Sequence, residues 1–321
     1  MRVLLSSFMQ TNDNVIATPA KALPTPRLTG LDGLLWGAIG VIAFSMTLPA
    51  TKIAVRTIDG EIVGLGRALI AAACALLLLC IRREHLPARR LWPRLAITAG
   101  GVALGFPLLS ALALKSVPSS HAAMVVGLLP AASALLAVIR AGERPSVGFW
   151  ISSAVGLAAI LVFCCARGVG TLQGADLLLL GAVLSAAIGY TEGALLAREL
   201  GAWQVICWAL LLSAPFIAPV VCVRLWTVGW SPSGASLAGF AYVSLISMFL
   251  GFFAWYRGLA VGGIARVGQL QLMQPVLTLL WSHLLLGETI TSLHIATAAI
   301  VLASVWAALH LKRTAQNQAA L

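Results

Sequence analysis

The stretches GLLPAASALLAVIRAGERPS (127–146) and QLMQPVLTLLWSHLLLGETIT (271–291) decide the fold, because one repeats the other. Pro130 and Pro275 coincide at an offset of 145, and so do Gly142-Glu143 and Gly287-Glu288, with thirteen residues from proline to glutamate in both. Leu114 with Leu259 and Leu135 with Leu280 share the offset. At an offset of 144, Asp32, Gly37, Thr47 and Ala50 meet Asp176, Gly181, Thr191 and Ala194. Each quoted stretch is an apolar run closed by a turn, and the chain on either side has the same construction.

The apolar blocks are Leu34–Val55, Ile62–Ile81, Leu95–Leu114, Ala122–Ile139, Phe149–Cys165, Leu177–Ala197, Val205–Val223, Leu237–Tyr256, Val267–Leu286 and Ile290–Leu309. Each is close to a bilayer thickness at helical rise. Asp59-Gly60, Arg82-Arg83-Glu84, Gly142-Glu143-Arg144-Pro145 and Ser231-Pro232 separate blocks, and no stretch remains for a soluble domain. Of the 321 residues 60% are hydrophobic and 10% charged, too few charges for a water-facing shell. In lipid, backbone groups must bond within the chain, and blocks of this length without alternating polarity read as helices rather than barrel strands. The expectation is an all-α integral membrane protein of ten transmembrane helices. Five is odd, so the second five-helix half enters from the opposite side, giving two inverted repeats. The expected units are a disordered cytoplasmic tail over 1–30, halves over 31–166 and 175–311, and a cytoplasmic tail over 312–321.

The net charge of +11 does not form a nucleic-acid patch, since the basic residues stand singly between blocks. Fifteen Lys and Arg fall on one predicted side, including Arg82, Arg94, Arg140, Arg198 and Arg257, and four on the other: Arg56, Lys115, Arg167 and Arg224. The bias places both termini in the cytoplasm of a multi-pass protein of the plasma membrane. The six cysteines contain no CxxC pair, so neither a zinc site nor a disulfide framework is expected. No GxxxxGK[ST], GxSxG or HExxH occurs, which argues against ATP drive from this chain and against the familiar intramembrane hydrolases.

Intramembrane charges cost ~2.5–3.5 kcal/mol or more at mid-helix, so they are candidate functional groups. Glu192, with Ser185 and Gly189 on its face, reads as a proton carrier or a partner for a cationic group, or as a neutral packing carboxyl. Arg67 reads as an anion site or as a packing arginine. Lys52 reads as snorkelling. Gln271, Gln274, Thr278 and Ser282 form one polar stripe, either a cavity wall or interhelical glue. Pro130 and Pro275 each remove a helical hydrogen bond, freeing a carbonyl or simply kinking the helix. Glu143 and Glu288, at helix ends, read as caps of the following helix. His283 and His294 read as satisfied core histidines.

These features resemble the EamA type of the drug/metabolite transporter superfamily: Trp36-Gly37 opening the first helix, Arg67 early in the second, and proline followed by Gly-Glu in the fourth and ninth. The likeness covers Leu31 to Leu311. The second half departs from it, with Leu180-Gly181 for Trp-Gly and Trp208 near the place of Arg67, so any site is asymmetric. The resemblance implies a secondary transporter, not an enzyme, that exports or exchanges small metabolites or drugs by alternating access without a cofactor. An intramembrane enzyme and a structural assembly protein are the competing classes; the protease motifs of the first are absent, and the second does not explain inverted halves. A proton acting through Glu192 is the expected coupling ion. The expected partners are a small-molecule substrate and the lipid bilayer. None of these motifs encodes substrate identity, coupling ion, direction or oligomeric state.

Overall fold

The computed structural model describes residues 30–166 and 174–318, so the expected N-terminal tail lies outside it except for Gly30. Every regular element among the described residues is helical. In chain order these are α1 (Gly30–Ser45), α2 (Thr47–Ala54), α3 (Gly60–Arg82), α4 (Trp92–Ala99), α5 (Phe106–Ser116), α6 (Ser119–Val126), α7 (Leu129–Ala141) and α8 (Val147–Ala166). They continue with α9 (Gly174–Leu200), α10 (Ala202–Val228), α11 (Gly234–Ala241), α12 (Gly251–Gly262), α13 (Ile264–Gly268), α14 (Met273–Leu286) and α15 (Ser292–Gln318). α15 thus runs on through most of the stretch read as a C-terminal tail. Seven continuous segments are long and apolar enough to span a bilayer: 31–54, 60–82, 89–116, 119–141, 174–200, 202–228 and 234–262. Val147–Ala159 and Ile295–Ser304 are shorter apolar helices. Leu35, Ile39, Ile42, Leu76, Leu77, Leu184 and Phe216 are exposed, an apolar exterior that suits lipid and not water.

Two spans widen to π-helix, at Gly100–Gly105 between α4 and α5 and at Tyr242–Leu250 between α11 and α12. Both lie at the same place in their halves, and such widenings concentrate at functional sites. Two others break one turn before a proline. A turn at Gly127-Leu128 separates α6 from α7, whose first turn holds Pro130. A 3₁₀ stretch, Gln269–Leu272, separates α13 from α14, which holds Pro275 in its first turn. The lost N–H in each case explains the break.

The packing joins the two halves. α1 lies along α12 and α9 along α5. The first contact is made by small residues: a Cβ on Gly258 would stand 2.6 Å from the Gly37 nitrogen. Such glycines let helix backbones approach closely, which drives association where lipid removes the hydrophobic contrast.

The doubled Gly-Glu has a structural explanation. Gly142 and Gly287 close α7 and α14 in the left-handed region, at φ 64° and 70°, a conformation glycine adopts without penalty. The turn aims each following glutamate at the other half. Glu143 accepts from the backbone N–H of Ile264 at 2.7 Å and of Ala265 at 2.8 Å, capping α13. Glu288 accepts from Ser119 N–H at 3.3 Å and Ser120 N–H at 3.2 Å, capping α6. The expected capping is therefore present, but its target is not the following helix. Each glutamate caps the counterpart of its own segment across the repeat.

Candidate functional site

A cavity lies between the two π segments. Its first-half lining is Phe44 of α1, Thr47 of α2, Arg67 of α3, Val102 of the first π segment and Phe106 of α5. The second half supplies Ala186 and Tyr190 of α9, Ser247 and Met248 of the second π segment, Phe252 of α12 and Gln274 of α14. Its volume is ≈ 20 Å³, room for about one water, so a metabolite requires the surrounding helices to part.

Arg67 is 1% exposed. Neither its Nε nor its Nη2 has a hydrogen-bond partner. Tyr190 is the titratable neighbour that acts on it. The Gln271 amide lies beside the Tyr190 hydroxyl, yet neither of its polar atoms makes a well-formed hydrogen bond. Thr47 Oγ1 and Ser247 Oγ join the two halves at 2.8 Å. Aromatic rings form much of the wall. Phe44 stacks on Tyr190 with centroids 6.2 Å apart, and Phe252 tilts against Phe44 at 5.0 Å. Trp255 packs behind them, 5.6 Å from the Tyr190 ring.

The expected polar stripe divides in two. Gln271 and Gln274 sit at or beside the cavity, whereas Thr278 Oγ1 donates to the Ser45 carbonyl at 2.6 Å and Ser282 Oγ meets Ser119 Oγ at 2.8 Å. Cavity wall and interhelical glue thus both occur, on successive turns. Pro130 and Pro275 mark the breaks and are absent from the lining. Lys52 Nζ donates to the carbonyls of Leu114 at 2.8 Å and Val117 at 3.0 Å, so its ammonium is held by the end of α5.

Glu192 stands apart from the cavity, in an ion cluster on the arginine-rich face. It accepts from Arg94 Nε at 3.2 Å and from Arg140 Nε at 2.6 Å. Its side chain is 4% exposed, against 28% for Arg94 and 52% for Arg140. Arg94 also holds Glu199 at 2.7 Å, which pairs with Arg90 at 3.3 Å. The cluster ties α9 to α4 and α7. On the opposite face Asp59 lies 3.4 Å from Lys115 and 3.3 Å from Arg224, and Arg224 lies 2.9 Å from Glu61. These pairs join the start of α3 to the ends of α5 and α10. Burial alone would push the Asp59 carboxyl up, but the Glu61 N–H, Lys115 and Arg224 outweigh it and hold it below the usual carboxylate range. His121 Nε2 and Asp176 Oδ1, 2.7 Å apart, join α6 to α9.

Among the described residues no cluster of His, Cys, Asp and Glu could hold a metal ion. The aromatic wall and the partners of Glu192 were not readable from the sequence.

Residues 31–165 and 173–309 each match the EamA-like transporter family. The uncharacterized transporter YdeK of Bacillus subtilis (strain 168) is 46% identical over 260 residues, which cover 81% of this chain and 90% of that protein. A probable terminal-alkyne amino-acid exporter of Streptantibioticus cattleyicolor is 25% identical over 291 residues, 90% of this chain and 89% of the relative. A crystal structure superposes with a TM-score of 0.71 at 20% identity, over 88% of this chain and 98% of the other, and shows the fold alone. The chain belongs to the EamA-like transporter family and is a multi-span membrane transporter.

Proposed function

We propose that this EamA-like transporter is a ten-helix secondary transporter of two inverted five-helix halves, which moves small organic metabolites across the plasma membrane by alternating access. The observation that carries the reading is a small cavity lined by both halves, with a separate charged network toward each end. The cluster of Glu192, Arg94 and Arg140 acts as the gate on the arginine-rich face, which the basic bias assigns to the cytoplasm together with both termini. Asp59, Lys115, Arg224 and Glu61 form the opposite gate. The carboxylates of Glu192 and Asp59 are buried but their Arg and Lys partners are partly exposed and can be rehydrated, so each gate can open at modest cost when a solute favours the open form.

The reciprocal caps of Glu143 and Glu288, and the π segments at matching places, support the inverted arrangement. The amino-acid exporter among the relatives makes amino acids the first solutes to test, with export or exchange as the direction. Proton coupling through Glu192 requires its arginines to withdraw first, so gate and coupling group would be one residue. Flux of a labelled amino-acid and metabolite panel into inside-out vesicles tests the reading. Protein-dependent uptake that saturates supports it. A folded protein that moves no member of the panel in either direction overturns it.

A further inference from the structure

We propose that the transported solute is a monocarboxylate, or a zwitterion that presents one carboxylate, gripped by the Nε–Nη2 edge of Arg67. The inference rests on the reading of the central cavity as the transport site. Arginine keeps its charge in proteins, and a buried charge without a partner is strongly unfavourable. Three other described cations near the membrane core are compensated, whereas Arg266 Nε, in α13, also lacks a partner but lies outside the cavity lining. Lys52 has two carbonyls, and Arg94 and Arg140 share Glu192. Arg67 is as buried as any of the large side chains, faces the cavity and has no acceptor at Nε or Nη2.

Which atoms are unpartnered matters. Nε–H and one Nη2–H point the same way from one edge of the guanidinium. That fork matches the two oxygens of a carboxylate, which a lysine ammonium cannot grip in the same way. The lining contains no Asp or Glu, so a cationic solute finds no counter-charge there. It contains no second cation either, so a dianion is only half neutralised. A neutral solute could accept hydrogen bonds but would leave the guanidinium charge unmatched. One carboxylate meets both the geometry and the charge. Phe44, Phe252 and Met248 leave an apolar surface for the rest of the solute.

The experiment uses purified protein in detergent and matched pairs that share a carbon skeleton: isocaproate with isocaproamide, hydrocinnamate with hydrocinnamide, and leucine with leucinamide, plus isoamylamine as the cation. Calorimetry or ligand-dependent melting reads affinity. At least one acid should bind about tenfold or more tightly than its amide, and isoamylamine should not compete. Arg67→Lys keeps the charge but loses the fork and should weaken that acid about tenfold to a hundredfold. Arg67→Met should abolish the preference for acid over amide. Without solute, Arg67→Met should melt no lower than the parent protein, since it removes an unmatched buried charge, whereas a structural arginine would leave a lower melting temperature. The proposal is overturned if no acid binds, if amides or the amine bind as tightly as acids, or if Arg67→Lys binds like the parent. Acids that bind but never cross vesicle membranes would overturn the transport reading and leave Arg67 as a carboxylate-binding site only. Saturable flux of amides or amines equal to that of acids would do the reverse.

Discussion

Replacing Glu192 by Gln keeps the shape of the side chain and removes the charge that, in the proposed gate, holds the arginine-rich end shut. Removing one partner of a buried pair typically costs ~3–5 kcal/mol, most of it from the charge left behind. Here the charges left behind are not stranded. Arg94 is 28% and Arg140 52% exposed, and Arg94 retains Glu199, so both guanidiniums can be rehydrated or re-paired. A cost of ~2 kcal/mol to the closed arrangement follows, which shifts the closed-to-open ratio by about thirtyfold at ~1.4 kcal/mol per decade. Ala186, on the cavity wall, is 1% exposed and serves as the reporter. A cysteine placed there, in a chain stripped of its native cysteines, should react with an impermeant maleimide added to inside-out vesicles. The Glu192→Gln background should raise that rate by about thirtyfold in the regime where opening and closing are fast relative to labelling, so that the rate follows the open population. Glu192→Asp should fall between the two. An unchanged rate in a correctly folded variant would refute the gate. Loss of proton-driven flux at a parental labelling rate would instead assign Glu192 to coupling alone.

The reciprocal caps predict that Glu143→Ala and Glu288→Ala each lower the melting temperature by an amount equivalent to ~1–3 kcal/mol, from the loss of charge-assisted bonds to backbone N–H groups. Differential scanning fluorimetry checks this, and a loss no larger than that of an exposed alanine variant counts against it. Asp59 predicts a pH dependence of definite sign. Its folded carboxyl titrates below the usual range, so its pairs contribute fully above that range and are lost as pH falls through the folded value. The melting temperature should therefore decline on acidification below about pH 4, and Asp59→Asn should flatten the decline; parallel curves for the two proteins would contradict this. Gly258→Ala should cost ~1–3 kcal/mol by overpacking α1 against α12, since its Cβ meets the Gly37 backbone. Gly268→Ala, whose Cβ meets nothing within 4 Å, should leave the melting temperature near the parent value.

The parts of this architecture that the sequence displayed are those with an energetic cost in lipid. A charge in an apolar run is expensive, so Arg67 and Glu192 were visible as candidates, and a proline or a Gly-Glu turn breaks a helix wherever it falls. What lipid leaves silent is which apolar face meets which helix. In water, periodicity separates a buried face from a solvated one; a span apolar on every side gives no such contrast. The wall of Phe44, Tyr190, Phe252 and Trp255 was therefore indistinguishable from lipid-facing residues such as Phe216, although their exposures are 4%, 5%, 5% and 0% against 69%. The partners of Glu192 were hidden for a related reason. Arg94 and Arg140 lie 98 and 52 residues from it, at block ends where topology alone explains a basic residue. Glu143 and Glu288 fall between these cases. Their type and spacing signalled a cap, but a cap on the next helix and a cap on the opposite half read identically in one dimension. The repeat itself carried the missing information: an element that caps its own counterpart must be matched by the counterpart capping it, and that reciprocity requires the same Gly-Glu turn to be written twice.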